Sequence, residues 1–353
     1  MEEEFNETPE VDTISENETK CASCGSSDVV DGHSIPLCAD CRRHFTHYPV
    51  PAWIKIMSVV ILAVMVVALI QFPKSIKAGI AFERGKRAED AKKYSTAAKE
   101  YKKVIEIFPD SFIAKGKLFV AYVKNGQIEN AENAFEQIKG KKSTDADEKE
   151  IIKEANDALN TLDSYYNLNK DLSAILDNEK NDGLEVTYKK LTDYSKKNPK
   201  DFNGYFYLGD VLYEQGNYKD AQAAYMKAVQ LKPELSFARL SAAAAYRQNK
   251  EFDKAIAECN KVLESNAESS DAYASLGKID LKRHEYKSAL EYAKKAYEYD
   301  NSNIGTMETL ALAYHFNNMA SERDETLNNL KSLKDPYISK IQDIIDGKSK
   351  IYE

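Results

Sequence analysis

From Phe202 onward the chain returns to the same kind of side chain every 34 residues, with no insertion. Gly209, Ala243, Gly277 and Ala311 mark one address; Leu208, Ala242, Leu276 and Leu310 mark the one before it. A second ladder runs Ala221, Ala255, Ala289 and then Arg323, and a third runs Ala228, Val262, Ala296 and Leu330. A fixed period of this length signals stacked repeats, because a single unit cannot bury its own apolar face and neighbours must share one core. Small residues such as Gly209 and Ala221 let two helices approach closely, while Tyr205, Leu208 and Tyr225 fill the space toward the next unit. Gly216-Asn217 reads as the turn between the helices and Pro233 as the stop of the second; Ala267, Asn301 and Asp335 stand at the later equivalents of Pro233. The expected fold is all-α, one antiparallel helix pair per unit.

Tyr205, Leu208, Gly209, Ala221, Tyr225, Ala228 and Pro233 resemble the tetratricopeptide (TPR) pattern slot for slot, and four such units follow one another over 202–335. Two more are read over 78–145: Gly85, Ala97, Tyr101, Val104 and Pro109 in one, Phe119, Tyr122, Ala131, Phe135 and Ile138 in the next. Between them the register breaks. Residues 146–201 keep helical spacing at Ile151, Ile152, Ala155, Leu159 and Leu162, and Leu191, Tyr194 and Pro199 resemble the second half of a degenerate unit. Asn181-Asp182-Gly183 reads as a turn, so this stretch is expected to hold one or two divergent helical pairs, and 336–353 a capping helix. The resemblance implies a superhelix whose concave wall receives peptides or partner proteins. By register the candidate wall residues are Asn203, Phe206, Asp210, Tyr213, Phe237, Leu240, Arg247, Lys278 and Lys282. Phe206 and Asp210 stand where chaperone-binding members carry Lys and Asn to hold a C-terminal carboxylate, which argues against that ligand.

Ahead of the repeats lies Trp53 to Phe72, in which Ile56–Phe72 has no charged side chain and only Ser58 and Gln71 are polar. About 20 helical residues cross the hydrocarbon core of a bilayer. Trp53 and Lys55 flank one end and Phe72, Lys74 and Lys77 the other, the arrangement of interfacial aromatics and snorkelling cations. Pro49 and Pro51 lead in and Pro73 leads out. The expectation is a transmembrane helix over 53–72, with the lipid bilayer as one partner of the chain.

Ahead of that run, Cys21-x-x-Cys24-Gly and Cys38-x-x-Cys41 frame a small module over 21–47. Two such turns let four thiolates converge on a tetrahedral structural Zn²⁺, and metal binding supplies the folding free energy that so short a segment lacks; two disulfides in an oxidising compartment and a redox-active dithiol are the alternatives. Four thiolates leave no open position for catalysis; His33, His44 and His47 are read as surface residues. The module resembles a small zinc ribbon. Residues 1–20 carry eight acidic groups and one lysine, with little to bury, and are expected to be disordered.

No phosphate-cradling glycine loop, metalloprotease helix or nucleophile elbow occurs, and the abundant carboxylates lie on Lys/Glu-rich helix faces, so no enzyme is expected. The net charge of -8 lies almost wholly in the leader, and Arg42, Arg43 and His44 are a poor footprint for nucleic acid. Two arguments about sidedness conflict. Lys74, Lys77, Arg84, Lys86 and Arg87 outnumber Arg42, Arg43 and Lys55, which places the repeats in the cytoplasm. Zinc-bound thiolates persist where thiols stay reduced, which places the ribbon there instead, and this second argument is preferred. The function expected is a membrane-anchored scaffold for partner proteins. A zinc- or redox-responsive sensor is one alternative, and nucleic-acid binding by the ribbon another.

Overall fold

The computed structural model describes residues 19–46, 50–166 and 168–351. The expected disorder of the acidic leader falls on 1–18, outside the described residues, as does His47. Two compact units result, 1–72 and 73–353. Among the described residues the regular elements are all helices, and the only extended pairing is an isolated antiparallel bridge between Val29 and Cys38.

In the first unit, α1 (Ala39–Thr46) starts directly after Cys38. The next helix, α2, is Ala52–Asp90 and contains Pro73, so the expectation that Pro73 leads out of the apolar helix is corrected. A proline removes a single i→i−4 bond, and the cooperative turns on either side carry the helix past it. Its apolar window has mean hydropathy 2.7 and no residue of it is buried.

The second unit continues with α3 (Tyr94–Ile107), α4 (Phe112–Asn125), α5 (Ile128–Glu136), α6 (Ala146–Tyr166), α7 (Lys170–Asp177) and α8 (Glu179–Lys197). Regular pairs follow: α9 (Phe202–Glu214) with α10 (Tyr218–Leu231), α11 (Ser236–Gln248) with α12 (Phe252–Ser265), α13 (Ser270–Lys282) with α14 (Tyr286–Tyr299), and α15 (Ile304–Phe316) with α16 (Ala320–Ser332). The last helix, α17 (Ile338–Ile345), packs Ile338, Ile341 and Ile344 on the apolar end of this stack. Within α8 the backbone breaks at Gly183, whose φ of 73° is the left-handed turn expected of Asn181-Asp182-Gly183.

In two of the helix pairs, close approach depends on a glycine facing an aromatic ring. A Cβ on Gly209 would come within 2.6 Å of the Tyr225 ring, and one on Gly85 equally close to Tyr101. Each tyrosine ring thus sits against the glycine of the partner helix, and its hydroxyl donates to a carboxylate beyond: Tyr225 to Asp210 at 2.7 Å, Tyr101 to Glu89 at 3.0 Å. The turn joining the two helices needs one left-handed residue, at Lys92, Gly126, Gly216, Lys250, His284 and Asn318. Only two of these are glycine; at the others the short turn imposes the conformation against a Cβ cost of roughly 1 kcal/mol.

The apolar interior of the second unit falls into two blocks. One holds Ala78 to Leu162, with Tyr101, Phe119 and Ile151 at its centre. The other begins at Leu168 and Leu172 and runs through the regular pairs to Ile351.

Candidate functional site

The concave wall is assembled by repetition of one helical address. Asn203, Phe237, Asp271 and Gly305 follow at 34-residue intervals and all face one cavity of about 1030 Å³. Phe206, Leu240 and Ala274 form the neighbouring row, Tyr207, Ser241 and Ser275 the next, and Ala244 and Lys278 a fourth. The opposite wall comes from the first block: Tyr94, Val120, Val123 and Lys124 from α3 and α4, then Glu154, Asp157, Ala158 and Thr161 from α6.

Five of the nine sequence-derived wall residues therefore line the cavity: Asn203, Phe206, Phe237, Leu240 and Lys278. Phe206 and Phe237 meet edge to face with centroids 4.7 Å apart. The other four do not line it. Asp210 accepts from the Tyr225 hydroxyl behind the wall. Tyr213 and Lys282 join through Gln248, whose amide donates to the Tyr213 hydroxyl at 3.3 Å and whose carbonyl accepts from the Lys282 ammonium at 2.8 Å. Arg247, at the Tyr213 address, is buried beside them.

Charge inside the cavity is unevenly neutralised. Lys278 lies deep in the body yet keeps 24% of its side chain open to the cavity, with Glu308 3.9 Å away. Burial lowers its pKa, and Glu308 opposes that shift only in part. Asp271 accepts from the Asn303 amide at 2.9 Å, and burial raises its carboxyl above the ordinary range. Asp271 was missed at sequence level although it occupies the Phe237 address one unit on.

The solenoid closes on itself, which an open groove does not. The turn before α3 meets the loops before α13 and α15 through a polar seam. Thr96 donates its backbone N–H and its hydroxyl to the two oxygens of Glu268, at 2.7 and 2.8 Å. Ala267 N–H donates to the Lys92 carbonyl at 2.9 Å, and the Lys92 ammonium donates to the Glu264 carbonyl at 2.8 Å. Ser95 reaches the Tyr299 carbonyl, Lys99 the Glu298 carbonyl and Gln127 the Asp300 carboxylate. At the buried centre Asn266 donates to Asn125 at 2.9 Å, and the Asn125 amide nitrogen is left without a partner among the described residues. This seam completes the cavity wall, which includes Asn125, Asn266 and Ser269.

Tetratricopeptide repeat models match residues 88–148, 202–235 and 238–269. These three segments are similar to tetratricopeptide repeats. The chain is similar to the TPR repeat-containing protein MJ1428 of Methanocaldococcus jannaschii, 24% identical over 285 residues, 69% of this chain and 49% of that protein. It is likewise similar to Hsp70-Hsp90 organizing protein 1 of Glycine max, 23% identical over 279 residues, 73% of this chain and 49% of that one. The chain thus spans about half the length of the curated relatives it matches. Among solved structures, MamA from Desulfovibrio magneticus RS-1 (residues 41 to the end) aligns with TM-score 0.37 and 16% identity, covering 47% of this chain and 96% of that one. PilF of Pseudomonas aeruginosa aligns with TM-score 0.32 and 15% identity, covering 74% and 93%.

The first unit carries the other candidate, the four-cysteine cluster. The sulfurs of Cys21, Cys24, Cys38 and Cys41 all lie within 4.8 Å of one another, with Cys24 and Cys38 3.6 Å apart. A tetrahedral ion with metal–sulfur bonds of about 2.3 Å needs sulfurs about 3.8 Å apart, so the set fits Zn²⁺. Local folding explains the convergence. Gly25, at φ 74°, donates to the Cys21 carbonyl and reverses the chain, while Cys38 opens α1 so that Cys41 lies one turn along and donates its N–H to the Cys38 sulfur. The Val29–Cys38 bridge holds the two turns together. N–H donation from Cys38 draws the Cys21 thiol down to about 6. The Ser23 hydroxyl favours the Cys41 thiolate, but hydrogen bonding to Cys24 and Cys38 holds its proton and pushes it up to about 12. Cys259 is apart from this cluster, fully buried among helices, with burial raising its thiol to about 12.

Proposed function

We propose that this chain is a membrane-anchored scaffold whose tetratricopeptide body holds extended segments of partner proteins in its central cavity. The carrying observation is that the inward addresses of successive repeats, from Asn203 to Gly305, converge on one space lined by aromatic, hydroxyl and charged side chains. Such a mixture suits a peptide, whose backbone needs hydrogen-bond partners and whose side chains need apolar contact. Tetratricopeptide matches over 88–148, 202–235 and 238–269 support the same reading. A photo-crosslinking residue at Ser275, inside the cavity, should capture partner proteins from the native membrane, and one at Lys287 on the outer face should not. Equal capture from both positions would remove the cavity from the reading.

The anchor is the apolar part of α2, in which Trp53 to Leu69 present large apolar side chains with nothing packed over them. Exposed apolar area of that extent is stable in lipid and not in water. The chain should stay with the membrane in alkaline carbonate and leave it only with detergent. We place the cysteine module, with a structural Zn²⁺, on the cytoplasmic side and the repeats on the other. Protease added to sealed vesicles of known orientation tests this: protection of the module together with cleavage of the repeats is the expected pattern.

A further inference from the structure

The cavity wall has a sign. Four carboxylates line it, Glu154, Asp157, Glu234 and Asp271, against two lysines, Lys124 and Lys278. Most of these are already matched. Glu154 accepts from Lys117 at 2.7 Å. Lys124 is held by Glu89 at 3.1 Å, and Lys278 has Glu308 at 3.9 Å. Asp157 and Glu234 have no partner for their carboxylates among the described residues, and Asp271 has only the neutral Asn303 amide as a direct one. The uncompensated charge in the cavity is therefore negative, and it comes from both walls: Asp157 from α6 and Glu234 from the loop before α11, with Asp271 of α13 sharing Lys278 with Glu308. The rings of Phe206 and Phe237 line the same cavity, surfaces that attract a cation as well as an aliphatic stem, and the Tyr94 ring already carries the Lys124 ammonium 5.4 Å from its centroid.

We infer that the cavity selects extended peptides that present a lysine or arginine side chain flanked by apolar residues. This rests on the partner-binding reading above and adds its specificity. At about 1030 Å³ the space matches the upper range of ligand pockets, roughly 1,000 Å³, and is far too small for a folded domain. Ser236, Ser241, Ser269 and Ser275 offer hydroxyls to a peptide backbone. A cationic side chain entering the cavity finds carboxylates on both walls, while its stem lies on the aromatic faces. An acidic peptide of the same size meets those carboxylates as like charges, which a focused field disfavours.

The test uses the full chain in non-ionic detergent and two fluorescent nonapeptides, both end-capped, one alternating Leu and Lys, the other Leu and Glu. The lysine peptide should bind at least tenfold more tightly than the glutamate peptide. Asp157→Asn combined with Glu234→Gln should weaken it about tenfold and reduce its salt dependence, with helical content unchanged. Ala244→Trp, which fills the cavity, should abolish binding; Ser241→Trp replaces it if the first variant loses helical structure. If both peptides bind alike and Ala244→Trp blocks both, the cavity remains the binding site and its charge preference is overturned. If the lysine peptide binds Ala244→Trp as well as wild type, the site itself is wrong and both readings fall. No binding of either peptide at millimolar concentration overturns the selectivity as well.

Discussion

The carboxylate of Glu268 caps a helix that lies 172 residues away in the chain. α3 begins after Lys93, whose side chain makes no cap bond, so the first N–H groups of that helix depend on an outside acceptor. Glu268 supplies it to Thr96, and at 5% exposure there is little water to take its place. Losing a cap costs about 1 kcal/mol, and losing an anion from the positive end of a helix about 0.5 kcal/mol. A donor stranded after losing a charged acceptor costs roughly 1.5–3 kcal/mol, and these overlap. Glu268→Ala should therefore weaken the seam by about 2–3 kcal/mol, a factor of about 30 to 150 in its opening equilibrium. Glu268→Gln keeps an acceptor for the Thr96 N–H and should cost about 1 kcal/mol or less. Amide hydrogen exchange on the full chain reads this residue by residue. Thr96 and Ala267, whose N–H groups cross the seam, should exchange faster by that factor, while Leu312, buried in α15, keeps its rate. Exchange at Thr96 and Ala267 within threefold of wild type would refute the assignment of the seam to this carboxylate. Equal acceleration at Leu312 would show a general loss of stability in its place.

Other consequences follow from single residues. Gly209→Ala places a Cβ 2.6 Å from the Tyr225 ring, whereas Gly277→Ala places one 3.1 Å from a Thr309 methyl, so chemical denaturation should show a loss of about 2 kcal/mol for the first and less for the second. Lys250, exposed and at φ 61°, sits where the turn wants glycine; Lys250→Gly should raise stability by about 0.5–1 kcal/mol, and a lower melting temperature would contradict the strain argument. Burial holds the Asp210 carboxyl up at about 6 against an ordinary 3.8, although the Tyr225 hydroxyl favours its ionised form. Between those values the folded state binds a proton that the unfolded chain has released, so stability falls as pH rises through them and the loss is complete above about 6. Asp210→Asn should flatten that slope and raise the neutral-pH melting temperature, with about 3 kcal/mol as the upper bound; parallel pH profiles would count against the shift. Cys24→Ser should lower zinc content from one ion per chain toward none after dialysis against a chelator, read by mass spectrometry of the metal.

The helical class and the repeat register were legible because packing demands recur at fixed addresses. Gly209 must be small for Tyr225 to lie on it, and the same demand recurs through Ala243, Gly277 and Ala311. The inward row was legible for the same reason, and extending it from Phe237 by one period gives Asp271 without any coordinates. The turn positions were harder to read. Gly216 announces its left-handed backbone, but Lys250, His284 and Asn318 adopt the same conformation with no glycine to show it, because a short connection between two packed helices leaves no other path.

The closure of the cavity belongs to a different category. Each seam bond joins residues with no periodic relation, such as Thr96 with Glu268 or Gln127 with Asp300, so each half reads in isolation as an ordinary polar loop or helix start. The curl of the stack decides whether those halves meet, and it depends on small rotations summed over every pair. A polar seam also suits that position physically. Each hydrogen bond across it replaces one to water, so the net gain per bond is only about 0.5–1.5 kcal/mol. The buried Asn125 amide nitrogen, left without a partner among the described residues, subtracts from that sum. The apolar blocks on either side have no such exchange with solvent, and their cores gain about 25 cal/mol per Å² withheld from water. The seam is accordingly the weakest boundary through the second unit, and the ring should open there before either block loses its helices.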